Sequence, residues 1–106
     1  MQTIGFHPDY LEPVRAGTKV TTVRYREDMV VGPAELVFDT QPTIALTGEV
    51  TGVRRTRLDE LTDADARADG FADRDALIER LRTVHYPDLP DDADVTVVYF
   101  RADGPA

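Results

Sequence analysis

The 106-residue chain has no cysteine, no tryptophan, two histidines and a single lysine. Without cysteine, disulfides, thiolate nucleophiles and thiolate-bound metals are excluded. The two histidines, His7 and His85, stand far apart in sequence, so no metal site and no metal cofactor are expected. No apolar run approaches the ~20 residues that a membrane span requires. The N-terminus also lacks a basic segment leading into an apolar one, and a soluble, cytoplasmic protein with no membrane partner is the expectation. The scarcest residue is the most informative one. Eleven arginines accompany only one lysine, Lys19, and an ammonium can shed its proton near neutral pH where a guanidinium cannot. A chain that uses arginine elsewhere and lysine once points to Lys19 as a residue kept for its chemistry.

The formal charge is −8, and it is unevenly spread. Residues 1–57 hold seven acids and seven bases, while residues 58–106 hold thirteen acids and five bases, so the whole excess is C-terminal. An acidic chain rich in Asp, Arg, Ala and Val fits a halophilic protein, whose carboxylates stay hydrated while salt screens their repulsion. A GC-rich genome is the alternative source of arginine, though it does not by itself favour acids so far over bases.

The length suits one domain spanning residues 1–106. Thr3 to Phe6 reads as a strand, and Pro8 to Arg15 as a helix capped by Gly17. The β-branched run from Val20 to Tyr25 reads as a second strand. After the Gly32-Pro33 break, Ala34 to Asp39 and Thr43 to Arg54 follow as strands about a Thr40-Gln41-Pro42 turn. Thr62 caps a short helix that Gly70 stops, and Asp73 to Tyr86 reads as one helix with Leu77, Ile78, Leu81 and Val84 on its apolar face. Asp94 to Arg101 is apolar on both faces, as in an interior strand, with a frayed tail from Ala102. Strands that outnumber helices without alternating with them predict an α+β fold, a mostly antiparallel curved sheet or small β-barrel with flanking helices.

The spacing Gly17-x-Lys19-x-x-Thr22-x-Arg24 resembles the signature of the activating signal cointegrator homology (ASCH) family. The likeness continues through Leu61-Thr62, Ala66, Gly70-Phe71, the helix containing Leu77, Tyr86 and the closing Val97-Val98-Tyr99-Phe100 run. The resemblance implies a barrel similar to the pseudouridine synthase and archaeosine transglycosylase (PUA) domain, with a cleft for RNA or a nucleoside. One small branch of the family, similar in length, hydrolyses the acetyl amide of N(4)-acetylcytidine with a Lys, a Thr and a Glu. Lys19 and Thr22 match the first two, and the Glu falls on Asp69, one methylene shorter.

For a hydrolase the resemblance implies Thr22 as nucleophile, Lys19 as its base, Arg24 as the holder of the developing oxyanion, and Asp69 as the group that orients Lys19 or relays protons. Lys19 must then lie in the loop before the strand, because a regular strand would point it away from Thr22. Each residue also has a plainer reading: Lys19 as a solvated ammonium, Thr22 as a strand former, Arg24 as a partner of Glu27 or Asp28, and Asp69 as a helix-end acid. Arg54-Arg55-x-Arg57 could join Arg15, Arg24 and Arg26 in a phosphate-binding rim, or could merely neutralise the acidic surface. Tyr25 could stack a base, whereas Phe6 suits the core and the His85-Tyr86 pair suits a helix end. The functions left open are a nucleoside hydrolase, a non-catalytic RNA-binding module and, with least support, a ribonuclease.

Overall fold

A computed structural model describes residues 1–105. Five strands form one mixed sheet: β1 (Gln2–Phe6), β2 (Thr21–Arg24), β3 (Gly32–Phe38), β4 (Ile44–Arg57) and β5 (Asp94–Pro105), in the order β1-β3-β4-β5-β2. β1 runs parallel to β3 and every other pair is antiparallel. The α+β half-barrel expected from the sequence is the architecture found. Three helices flank it: α1 (Leu11–Ala16), entered through a 3-10 turn at Pro8–Tyr10, α2 (Asp63–Ala68) and α3 (Arg74–Arg80).

Two irregularities between β4 and β5 curl the sheet. Their register slips between Thr47 and Gly48 and again between Val50 and Gly52, and bulges of this kind raise the local twist. At the first slip the strands approach so closely that a Cβ on Gly48 would lie 2.3 Å from the Arg101 carbonyl oxygen and 2.5 Å from Leu36 Cδ1. Only glycine fits there. β5 runs four residues beyond Arg101, so residues 102–105, where fraying was expected, continue the strand, and Ala106 lies outside the described residues. The extension pairs with the start of β4, and Thr47 Oγ1 donates to the Gly104 carbonyl at 3.3 Å.

The core has two parts. Ile4, Phe6, Leu36, Phe38 and Phe100 pack with Leu11 and Val14 of α1, with Phe6 stacked on Phe38 at 5.0 Å between ring centres. Val23, Val95 and Val97 pack with Leu61, Leu77 and Leu81 from the helical side. β5 supplies both clusters, which explains why its sequence is apolar on both faces. The expected single helix over Asp73–Tyr86 instead breaks after Arg80 into a wider π turn, Leu81–His85, closed by the Tyr86 amide on the Leu81 carbonyl at 2.6 Å. That turn leaves Val84 40% exposed rather than on the apolar face.

Candidate functional site

β1 and β2 are the outer strands of the sheet, and in the curled half-barrel their free edges come close together. The backbone does not close this gap; the Arg24 side chain does, its Nη2 donating to the Gly5 carbonyl at 2.7 Å. A cleft of about 500 Å³ opens there, within the range of small-molecule sites. Its walls come from Phe6 and His7 of the β1 end, Thr22 and Arg24 of β2, and His85 and Tyr86 of the π turn.

Lys19 reaches the site because α1 stops abruptly. Gly17 takes the left-handed conformation with φ of 79°, and the Thr18 and Lys19 amides both bond the Pro13 carbonyl, at 3.0 and 3.1 Å. Val20 then donates to the Ala68 carbonyl at 2.9 Å and accepts from the Phe100 amide at 3.1 Å. This ties the loop between the end of α2 and β5. β2 begins only at Thr21, so Lys19 lies in the loop, outside the strand alternation. Gly70, with φ of 92°, lets the backbone turn beside it in a conformation that other residues rarely adopt.

Asp69 is the residue on which α2 ends, and its side chain meets Lys19. Nζ forms an ion pair with Oδ1 and also donates to the Asp69 backbone carbonyl at 3.1 Å. Both residues are only 3% exposed, and the Tyr10 ring lies 4.5 Å from Nζ. Burial pushes the Lys19 ammonium below its ordinary range, and it pushes the Asp69 carboxyl up to about 6, each against the pull of its partner. A pair so placed holds one proton readily and a second, or none, with difficulty.

Thr22 joins this pair to the cleft. Its side chain borders the cleft and also a void of about 20 Å³, lined by Lys19, Asp69, Tyr10 and His85 among others. That void is of the size one water occupies. Thr22 Oγ1 accepts from Arg24 Nε at 3.0 Å, which leaves its own proton free to be given away. Arg24 is held on its other sides by Gly5 and by Glu27 at 3.2 Å, and Glu27 in turn accepts from the Tyr86 hydroxyl. The pairing of Arg24 with Glu27 and its contact with Thr22 therefore coexist.

The other arginines and Tyr25 lie elsewhere. β4 extends to Arg57, and strand alternation sends Arg54 and Arg55 to opposite faces. Arg54 bonds Asp65 at 2.6 Å and the Tyr99 hydroxyl at 3.2 Å. Arg55 pairs with Asp28 at 3.7 Å, and with Arg26 and Arg57 it lines a separate groove in which Glu27, Asp28 and Glu60 also sit. Tyr25 packs edge-on against Tyr86 at 5.8 Å, and the Arg26 guanidinium covers its ring at 4.9 Å. None of these five residues lines the Thr22 cleft.

Sequence reasoning passed over His7, Tyr10, Arg80 and His85. Arg80 Nε donates to the Tyr10 hydroxyl oxygen at 3.1 Å, and that hydroxyl lies 2.9 Å from His85 Nε2. Arg80 also bonds Asp9 at 2.9 Å. Burial, with Arg24 and Arg80 nearby, lowers His85 to about 4, so its ring is neutral at ordinary pH. The only signal for this group in the sequence was the position of His85-Tyr86 at a helix end, which gave no hint of where the π turn aims them.

No family model matches the sequence, and a search of curated proteins also returns no match. Solved structures do match. The hypothetical protein PH0355 superposes with a TM-score of 0.70 at 15% identity, over 96% of this chain and 98% of that one. An ASCH domain from Lactobacillus crispatus gives 0.64 at 15% identity, over 86% of this chain and 68% of that one. The chain has an ASCH fold. A mutant of ZmASCH from Zymomonas mobilis matches at 0.62 and 14% identity, over 97% of this chain and 70% of that one. In this ASCH fold the Gly17–Arg24 segment supplies the loop and the strand that flank the open edge of the half-barrel, with the end of α2 and the π turn facing it. Among the described residues no group of three or more His, Cys, Asp or Glu side chains could hold a metal ion, and no helix is long and apolar enough to cross a membrane.

Proposed function

We propose that this protein binds a modified pyrimidine nucleoside in the cleft between β1 and β2 and hydrolyses an acyl amide on it, with N(4)-acetylcytidine as the substrate of choice. The observation that carries the reading is the buried Lys19–Asp69 pair bordering the same water-sized void as Thr22, which itself opens to the cleft. The direct ion pair also answers the shorter side chain of Asp69, which reaches Lys19 without the extra methylene.

In the reaction, neutral Lys19 takes the Thr22 hydroxyl proton as Oγ1 forms a bond to the acetyl carbon. The carbonyl electrons move onto its oxygen, which the Arg24 guanidinium faces. Collapse breaks the C–N bond, and the Lys19 proton passes to the departing exocyclic amine, leaving cytidine and an acetyl ester on Thr22. Water, deprotonated by Lys19, then attacks the ester carbon. Acetate leaves and Thr22 recovers its proton. The pair carries one proton at rest, on Asp69 when Lys19 is neutral, takes a second from Thr22 during the attack and gives it up to the departing amine, while Asp69 holds Lys19 in place.

A small nucleoside suits this molecule better than a long RNA. Arg24, Arg54, Arg55 and Arg57 each have a carboxylate partner, and the net charge of −8 repels a polyanion. The test is acetate release from N(4)-acetylcytidine by the wild-type chain, Thr22→Val and Lys19→Met. Activity in the wild type and loss in both variants is expected. Equal release by all three would overturn the reading, and binding of cytidine without any release would leave a nucleoside-binding module in its place.

A further inference from the structure

We infer that His85 is the specificity-determining residue of the cleft: a neutral imidazole, locked with its proton on Nδ1, that donates to a carbonyl oxygen on the base of the ligand. The inference rests on the nucleoside reading above and names the group that would recognise the ring.

The tautomer follows from the donors around Tyr10. Arg80 is an obligate donor, and its Nε bonds the Tyr10 oxygen at 3.1 Å. The Tyr10 hydroxyl proton must therefore go to an acceptor, and His85 Nε2 lies 2.9 Å away. Were Nε2 to carry a proton instead, two N–H groups would point at one oxygen and the half-buried hydroxyl would lose its acceptor, at a cost comparable to a lost hydrogen bond. Asp9 fixes the far end by holding Arg80 Nη2 at 2.9 Å. With Nε2 taken as acceptor, the ring carries its hydrogen on Nδ1, which has no partner among the hydrogen bonds of the described residues.

Position completes the argument. His85 lines the cleft and also the void that holds Lys19 and Asp69, so with Thr22 it stands in the wall between the two. His85 and Thr22 line the same cleft, so a ligand that fills it and presents an amide carbon to Thr22 also meets His85. A neutral donor there selects a lone pair, as on the 2-carbonyl of a cytosine ring, and offers nothing to an N–H. Tyr10 and Arg80 act through His85 and are positioning residues.

Two measurements test this. In the ¹⁵N spectrum of the free protein, His85 Nδ1 should show the protonated shift and Nε2 the unprotonated one, and Tyr10→Phe should mix the two tautomers. By calorimetry with cytidine, His85→Phe should bind about tenfold more weakly than the wild type. His85→Asn, whose amide nitrogen stands close to the place of Nδ1, should recover most of the affinity. If acetate release occurs, His85→Phe should raise KM and leave kcat nearly unchanged. A proton found on Nε2, or equal cytidine affinity in the wild type and His85→Phe, overturns the assignment alone. Cytidine left unbound by the wild type overturns it together with the nucleoside reading.

Discussion

Two cation–carboxylate pairs in this protein sit at opposite limits of burial. Lys19 and Asp69 are each 3% exposed and hold each other behind Thr22, whereas the side chains of Arg55 and Asp28 are 81% and 97% exposed at a groove on the surface. In water the Coulomb energy of such a pair is nearly cancelled by hydration. Out of water each charge is costly, the partner becomes indispensable, and the proton shared between them becomes available for chemistry. The buried pair is built from the only lysine and the surface pair from one of eleven arginines. The difference in residue type follows the difference in solvent.

The strongest way to break this contrast is to cut the buried pair on one side. Lys19→Met leaves Asp69 buried without its cation and should cost about 3 kcal/mol in urea unfolding, with acetate release down about 1,000-fold. The double variant Lys19→Met/Asp69→Leu should regain most of the stability and none of the activity. Full activity in either variant would mean that the pair is structural only.

A smaller effect is expected where the two environments meet. Arg24 spans from the half-buried Glu27 to the buried Thr22, and Arg24→Gln should lower kcat for acetate release about 100-fold by removing a donor from the developing oxyanion. Unchanged kcat with a raised KM would make Arg24 a binding group instead.

The shared proton gives a dependence on pH. Because the folded Asp69 carboxyl is raised from 3.8 to about 6, its contribution to stability is fully present below about pH 4 and is lost as pH rises through about 6. Activity runs the other way, since a second proton on the pair removes the base, so kcat/KM should fall as pH drops below about 6. ¹³C titration of the Asp69 carboxyl and a pH–rate profile should give the same midpoint, and a midpoint near 4 in both would mean that the pair is more hydrated than its burial implies.

How much of this was legible in the sequence differs from one residue to the next. Gly17 after a short helix announced the turn that releases Lys19 from the strand, because only a left-handed cap fits there. The apolar faces of β5 announced an interior strand. The two slips between β4 and β5 fall at Gly48 and Gly52, glycines at which a bend in the strand could be expected, whereas the extension of β5 past Arg101 depends on partners in β4 that local sequence does not show. The π turn at Leu81–His85 is hidden for a related reason: no local pattern marks it, and it is closed by the Tyr86 amide on the Leu81 carbonyl with both residues packed in the helical-side core. The network through Arg80, Tyr10 and His85 joins the two ends of the chain, so no local pattern could reveal it.

The smallest expected effect is also the sharpest test of the contrast. A double-mutant cycle on Arg55 and Asp28, each to Ala, should give a coupling of a few tenths of a kcal/mol in dilute buffer, because both side chains keep most of their hydration and separate freely. In molar KCl the screening length shrinks to ~3 Å, shorter than the 3.7 Å between the two groups, and the coupling should vanish. The same cycle on Lys19 and Asp69, each to a residue of similar volume, should be far less sensitive to salt, since both side chains are only 3% exposed. A salt-sensitive buried pair would mean that the Tyr10 and His85 wall opens in solution. The proton on Lys19 would then be exchanged with solvent rather than kept for Thr22.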